Sequence, residues 1–175
     1  MDLNTVTTYR RPATRGDLAL AAGERILGGG TWLFSEPQVQ ITGLVDLTTM
    51  GWLPFEPLPG GGLRIAGTAT IAELLAIPAN PDWTAQPLFR QAAECLLASF
   101  KVWTAATVGG NIAQSFAAGA MISMAVTLDG IAEVWRADGT DAHIPVAEIP
   151  AGNGVNSLGH GDVIRAIELP GAALR

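Results

Sequence analysis

The chain is short of the residues that most reactions and most anion sites rely on. Its 175 residues include a single lysine (Lys101), a single cysteine (Cys95), a single tyrosine (Tyr9) and two histidines (His143 and His160). Only 15% of the residues are charged, and the net charge is −6. With no basic stripe to neutralise a phosphate backbone, nucleic acid is excluded as a partner class. One cysteine excludes an intrachain disulfide and a cysteine-ligated iron–sulfur cluster held by this chain alone. Cys95 sits in an apolar run and is expected to be a buried thiol. No His/Cys group has metal-ligand spacing, so the two isolated histidines read as surface or loop residues. No glycine run is followed by Lys-Ser or Lys-Thr, which removes a P-loop. No Gly-x-Gly-x-x-Gly opens a helix after a strand, so a Rossmann nicotinamide site is not expected. Met1-Asp2-Leu3-Asn4 lacks the basic-then-apolar signal pattern, and the cytoplasm is the default location. The longest apolar run, 117–128, is broken by Ser123 and is too short to span a bilayer. With no evident acid, base or nucleophile, any chemistry here is carried by a cofactor.

What the chain has in quantity is glycine, 21 residues, within a composition that is 49% apolar. So little charge leaves a thinly solvated surface, part of which is expected to meet a partner. Two glycine stretches stand out. One is Gly28-Gly29-Gly30-Thr31; the other is Thr107-Val108-Gly109-Gly110-Asn111. Either alone reads as a tight turn that needs glycine for a positive φ. As a pair, each with short polar neighbours, they read as a cradle whose convergent backbone N–H groups hold a diphosphate without a cation.

In chain order, residues 9–12 read as an extended lead-in. Thr14 is a weak N-cap for a short helix over 18–22. Residues 25–27 form a strand running into the first glycine stretch, and 43–47 form a second, buried strand. These make a β-α-β lobe over residues 1–55. Residues 54–62, rich in proline and glycine, read as a linker or wide turn. A second lobe over 56–175 starts with a strand at 63–67. Thr70 and Glu73 then form a capping box for a helix ended by Pro78, which makes Glu73 a cap rather than a catalyst. Residues 88–100 carry a helical period with a wet edge at Arg90, Gln91 and Glu94. Residues 117–128 read as a helix buried on most sides. Strands at 133–137 and 143–146 form a hairpin about Asp138-Gly139-Thr140, and 163–169 is the last strand.

Taken in order, these segments resemble the FAD-binding subunit of the molybdenum hydroxylases, the xanthine dehydrogenase and carbon monoxide dehydrogenase flavoprotein family. Ile26-Leu27-Gly28-Gly29-Gly30-Thr31-Trp32-Leu33 is similar to that family's first diphosphate loop, and 45–47 to the strand after it. Residues 63–74 are similar to its strand and capped helix. Ala106-Thr107-Val108-Gly109-Gly110-Asn111-Ile112-Ala113 is similar to its second loop, and 128–130 to the end of the following helix. Leu158 and 162–170 are similar to the closing segment, whose leucine packs near the flavin ring. The likeness covers about residues 9–170. It implies an α+β fold of two small lobes, the PCMH-type (molybdopterin dehydrogenase) FAD-binding fold. It further implies FAD held by Leu27, Gly28, Gly29, Gly30, Thr31, Trp32, Thr107, Gly109, Gly110, Asn111 and Leu158. The implied function is that of an oxidoreductase component, an electron-transfer subunit working with an iron–sulfur subunit and a molybdenum-cofactor subunit. Three positions depart from the family. Trp32 replaces an acidic residue, Trp103 a basic one, and Ala120 an aspartate that contacts the cofactor. The chain also ends five residues after Pro170, where the family continues into a C-terminal domain. A flavin-free scaffold subunit and a stand-alone FAD oxidoreductase are the competing readings.

Overall fold

The structure is a computed structural model that describes residues 3–96 and 98–175. The first sheet is built from three short parallel strands, β1 (Thr8–Arg10), β2 (Glu24–Leu27) and β3 (Gly43–Asp46), in the order β1-β3-β2. All four residues of β3 are buried, as befits the central strand of a parallel sheet. Its one charge, Asp46, is satisfied by the Tyr9 hydroxyl, by the Thr48 N–H at 2.9 Å and by the Thr48 hydroxyl at 2.7 Å.

The expected helix over 18–22 is not formed. A 3-10 turn over Arg15–Leu18 stands there instead. The Arg10 guanidinium donates to the carbonyls of Asp17 (2.8 Å) and Ala19 (2.6 Å), which removes the acceptors a longer helix would use.

In the second lobe the chain runs β4 (Phe55–Leu58), β5 (Gly62–Ala66), α1 (Ile71–Leu75), α2 (Pro87–Cys95), α3 (Phe100–Trp103), α4 (Val108–Gln114) and α5 (Ala120–Thr127). It continues through β6 (Ile131–Trp135), β7 (Asp141–Pro145), β8 (Pro150–Gly152), β9 (Val155–Asn156), β10 (Val163–Leu169) and α6 (Gly171–Leu174). An antiparallel sheet has the order β4-β5-β10-β6-β7, and β8-β9 is a separate small hairpin. The stretch read as a linker therefore contains β4. Pro57 is tolerated there because β4 is an edge strand. Thr70 caps α1, with the Glu73 carboxylate accepting from the Thr70 N–H at 2.8 Å.

Helices cover one face of this sheet. Ile65 and Ile167 of the strands pack with Ile71, Leu74, Ile112, Met121 and Met124. Two burial expectations fail. Cys95 is exposed, because α2 ends there and its buried residues are Phe89, Ala92 and Ala93. Leu97, inside the stretch read as one helix over 88–100, lies outside the described residues. Helix α5 is buried along only one side, with Ser123, Val126 and Thr127 exposed.

The two sheets meet where β6 ends and β10 begins. Val163 and Trp135 pack there with Val45 and Leu47. Trp52 meets Trp135 edge-on at 5.4 Å, and the Arg165 guanidinium lies 4.3 Å over Trp52.

Candidate cofactor site at the lobe junction

Strand β2 delivers the first glycine stretch to this junction. Leu27 is anchored in a small core with Ile41 and Leu44, and the chain then leaves the sheet. A Cβ on Gly28 would lie 3.0 Å from the Thr107 hydroxyl, and one on Gly29 would fall on the Ala105 carbonyl oxygen. Gly30 is the one member of the stretch with a positive φ, 69°. Close approach, more than turn geometry, therefore sets the glycine requirement. It also establishes that the two glycine segments are in contact. Among the described residues, the N–H groups of Gly29, Gly30, Thr31 and Trp32 donate to no protein acceptor. A row of unpaired amides around glycines is what an anion site needs.

The second segment is built differently from the expected turn. Val108-Gly109-Gly110-Asn111 is the first turn of α4, and neither glycine has a positive φ. Its amides are already engaged. Val108 N–H donates to Ala69 O (2.8 Å), Gly109 to Gly67 O (3.0 Å), Gly110 to the Thr107 hydroxyl (3.1 Å) and Asn111 to Thr107 O (3.0 Å). The expected backbone cradle at Gly109 and Gly110 is thus replaced by internal bonds. Gly109 is glycine because its Cα packs on Gly67, where a Cβ would come within 2.7 Å of backbone. Thr107 is buried with its hydroxyl capping α4, so what this segment can offer a ligand is the half-buried Asn111 side chain. The Asn111 Oδ1 accepts from Met121 N–H at 3.1 Å, which ties α4 to α5.

Ser115 closes α4 in the left-handed region (φ 50°) and turns Phe116 back toward the first loop. The rings of Trp32 and Phe116 lie 5.8 Å apart, tilted by 55°. Beside Phe116 is a cavity of about 310 Å³ lined by Gly119, Ile122, Ser123, Pro150 and Asn153 among others. Asn153 holds its rim through the Ala117 N–H (3.0 Å). Leu158 stands further off and is half-buried against the main core. Its N–H donates to Asn156 Oδ1 (3.0 Å), and Asn156 Nδ2 donates to Ala113 O (2.7 Å), linking it to the far end of α4.

The structure therefore joins Gly28–Trp32 to Thr107 and, through Trp32, to Phe116. The other two departures, Trp103 and Ala120, pack into the second lobe's core. Trp103 packs on the core with its indole N–H buried and unpaired, and Ala120 is buried at the start of α5. Phe116, Asn153, Asn156 and Gly67 are contributors that sequence reasoning does not single out. Only Gly67 carries a signal, as the glycine directly after a strand.

Among the described residues no metal-binding group of His, Cys, Asp and Glu is present, and no helix is long and apolar enough to cross a membrane. A dinucleotide fits this arrangement at the first loop, where free amides and close backbone approach coincide. It does not find the second amide row that was expected. The family described as "FAD binding domain in molybdopterin dehydrogenase" matches residues 6–172. The fold is similar to that of reconstituted CO dehydrogenase from Oligotropha carboxidovorans, with TM-score 0.84 and 20% identity over 97% of this chain and 60% of that one. It is likewise similar to a CO dehydrogenase from Hydrogenophaga pseudoflava that lacks the Mo-pyranopterin moiety (TM-score 0.83, 20% identity, 94% and 59%). Quinoline 2-oxidoreductase from Pseudomonas putida 86 follows at TM-score 0.79 and 22% identity, over 93% and 58%. The chain thus spans about three fifths of the solved chains it matches. No curated protein matches it. This α+β chain belongs to the FAD-binding domain family of the molybdopterin dehydrogenases, and its cofactor is FAD.

Proposed function

We propose that the chain is the flavin-carrying, electron-transfer part of a molybdenum hydroxylase-type oxidoreductase. In that role it works in the cytoplasm beside an iron–sulfur subunit and a molybdenum-cofactor subunit, and electrons leave through it to an external acceptor. The observation that carries the reading is the row of unpaired amides from Gly29 to Trp32, in a loop that packs through Gly28 on Thr107 and through Gly29 on Ala105 of the other lobe. These amides and the Asn111 side chain would hold the diphosphate, with Thr107 fixing the start of α4 beside them. Leu27 backs the loop from the core, Gly28, Gly30 and Thr31 shape it, and Leu158 would border the flavin. Gly109 and Gly110 act by packing and capping α4 rather than by donating. Bound flavin supplies hydride and single-electron chemistry, which suits a chain with no acid–base pair of its own.

Titrating FAD into the purified chain and following flavin fluorescence and visible absorbance tests this. The expected result is an equimolar coloured complex that a low-potential donor reduces and an external acceptor reoxidises. The engaged amides of α4 and the missing carboxylate at Ala120 favour one alternative, a scaffold subunit without flavin. A colourless chain that still joins the iron–sulfur and molybdenum subunits would establish that alternative.

A further inference from the structure

Neither segment that forms the site, 28–35 or 105–120, contains a charged residue. The usual means of holding an anionic dinucleotide, a guanidinium or ammonium on the phosphates or a carboxylate on a ribose, are missing from both. What both segments do present is an aromatic ring. Trp32 follows directly on the unpaired amides, and Phe116 meets it from the other lobe at 5.8 Å. Each of the two residues is 37% exposed, although their rings already meet. A cavity of about 310 Å³ opens beside Phe116. On the other side Phe34, 42% exposed, lies against Gly30 and extends the apolar surface of the same loop.

We infer that Trp32, supported by Phe116, is a positioning residue that stacks on one planar ring of the bound dinucleotide. This rests on the FAD reading above and gives Trp32, with Phe116, a specific role in it. Where neither segment carries a charge, ring-on-ring contact is the strongest side-chain interaction the two segments offer, because indole presents a large polarisable face at little conformational cost. The free amides of Gly29 to Trp32 place the diphosphate within a residue of the indole, so a ring attached to that diphosphate reaches it. The 55° tilt and 5.8 Å spacing leave no room for a third ring between the pair, so the ligand stacks on the open face. Both ends of FAD, the flavin and the adenine, offer such a ring, and the two are separated by experiment.

The test compares FAD affinity in the wild-type chain, Trp32→Ala and Trp32→Phe, with FMN and ADP as single-ring competitors and thermal melts alongside. Loss of one base–aromatic stack predicts FAD binding weaker by roughly five- to 150-fold in Trp32→Ala. Trp32→Phe is expected to restore most of it. The same loss is expected in one competitor arm only, and that arm names the stacked ring. Should Trp32→Ala melt early, Phe116→Ala gives the same comparison from the opposite lobe. Equal FAD affinity in wild type and Trp32→Ala overturns this inference alone. A loss shared equally by FMN and ADP, or by neither, overturns it too, since it would mean a displaced diphosphate loop or an indirect effect. No FAD binding by the wild-type chain overturns the functional reading first and this inference with it.

Discussion

Of three glycines in the two loops, Gly29 and Gly109 are held to glycine by backbone and Gly110 is not, and the difference is measurable. At Gly29 an added Cβ collides with the Ala105 carbonyl, which is backbone and has no easy way to move. Gly29→Ala is therefore expected to push the loops apart, destabilise the chain by about 1–3 kcal/mol through overpacking, and weaken FAD binding. At Gly109 the Cβ would lie 2.7 Å from Gly67 Cα and O, lifting α4 off the end of β5. Gly110 is a contrasting case, since its Cβ would meet the Thr107 hydroxyl at 2.6 Å, and that side chain can rotate away. Losing the Thr107 cap costs about 1 kcal/mol, and replacing a helical glycine by alanine returns about 0.8–1.0 kcal/mol. Gly110→Ala should be close to neutral in urea melts, whereas Gly109→Ala should not. Equal destabilisation of the two variants would contradict this division. The glycines themselves were legible in the sequence, but the reason for each was not. That reason is Ala105 for Gly29 and Gly67 for Gly109, partners that only the tertiary fold supplies. Trp32 and Phe116 illustrate the same limit, being 84 residues apart with no shared periodicity.

Among the elements, those with strong local signals were readable and those defined by pairing were not. The Thr70–Glu73 box announces α1, the Asp-Gly-Thr turn announces the β6–β7 hairpin, and the apolar run 163–169 is β10. Strand β4 was hidden behind its prolines because its identity comes from lying on the edge beside β5. The exposed side of α5 was hidden because valine and threonine face solvent there. The segment leading into β10 makes its own prediction. The Asp162 side chain, 5% exposed, accepts from Arg136 Nη1 at 2.6 Å, Ala137 N–H at 3.0 Å and Gly159 N–H at 2.8 Å. Burial pushes its carboxyl up, but the Ala137 amide, the Arg136 guanidinium and the Gly159 amide together hold it below the usual carboxylate range. A depressed folded-state pKa stabilises fully above the unfolded value of about 3.9 and loses that contribution as pH falls through the folded value. Asp162→Asn should therefore lower the melting temperature at neutral pH and flatten its decline below about pH 4. Parallel acid curves for wild type and variant would show that the turn at 159–162 draws nothing from this carboxylate.

For the whole molecule, the question is whether the two sheets are independent. The first has three strands of three or four residues, and the small core it holds alone, around Leu27, Ile41 and Leu44, is too little for independent stability. Its apolar side is completed by the second lobe, with Val45 and Leu47 packing on Val163, Trp135 and Trp52. Arg15 and Arg165 lie over Trp135 at 4.9 and 5.7 Å, and Arg15 also pairs with Asp141 at 2.6 Å, closing the seam from both sides. A lobe that borrows its core cannot outlast its neighbour, so the chain should unfold in one transition with equal calorimetric and van't Hoff enthalpies. Trp135→Ala removes the ring that Trp52, Arg15 and Arg165 share, and costs about 3–5 kcal/mol. Hydrogen exchange should then quicken in β1, β2 and β3 before it does in β5 and β10. FAD held at the junction as proposed would touch both lobes, so at a hundredfold excess over its Kd it should add about 2.7 kcal/mol and slow exchange in both together. Two resolved transitions in the wild-type chain, or FAD protection confined to one sheet, would show that the junction is a hinge between independent units and that the cofactor belongs to only one of them.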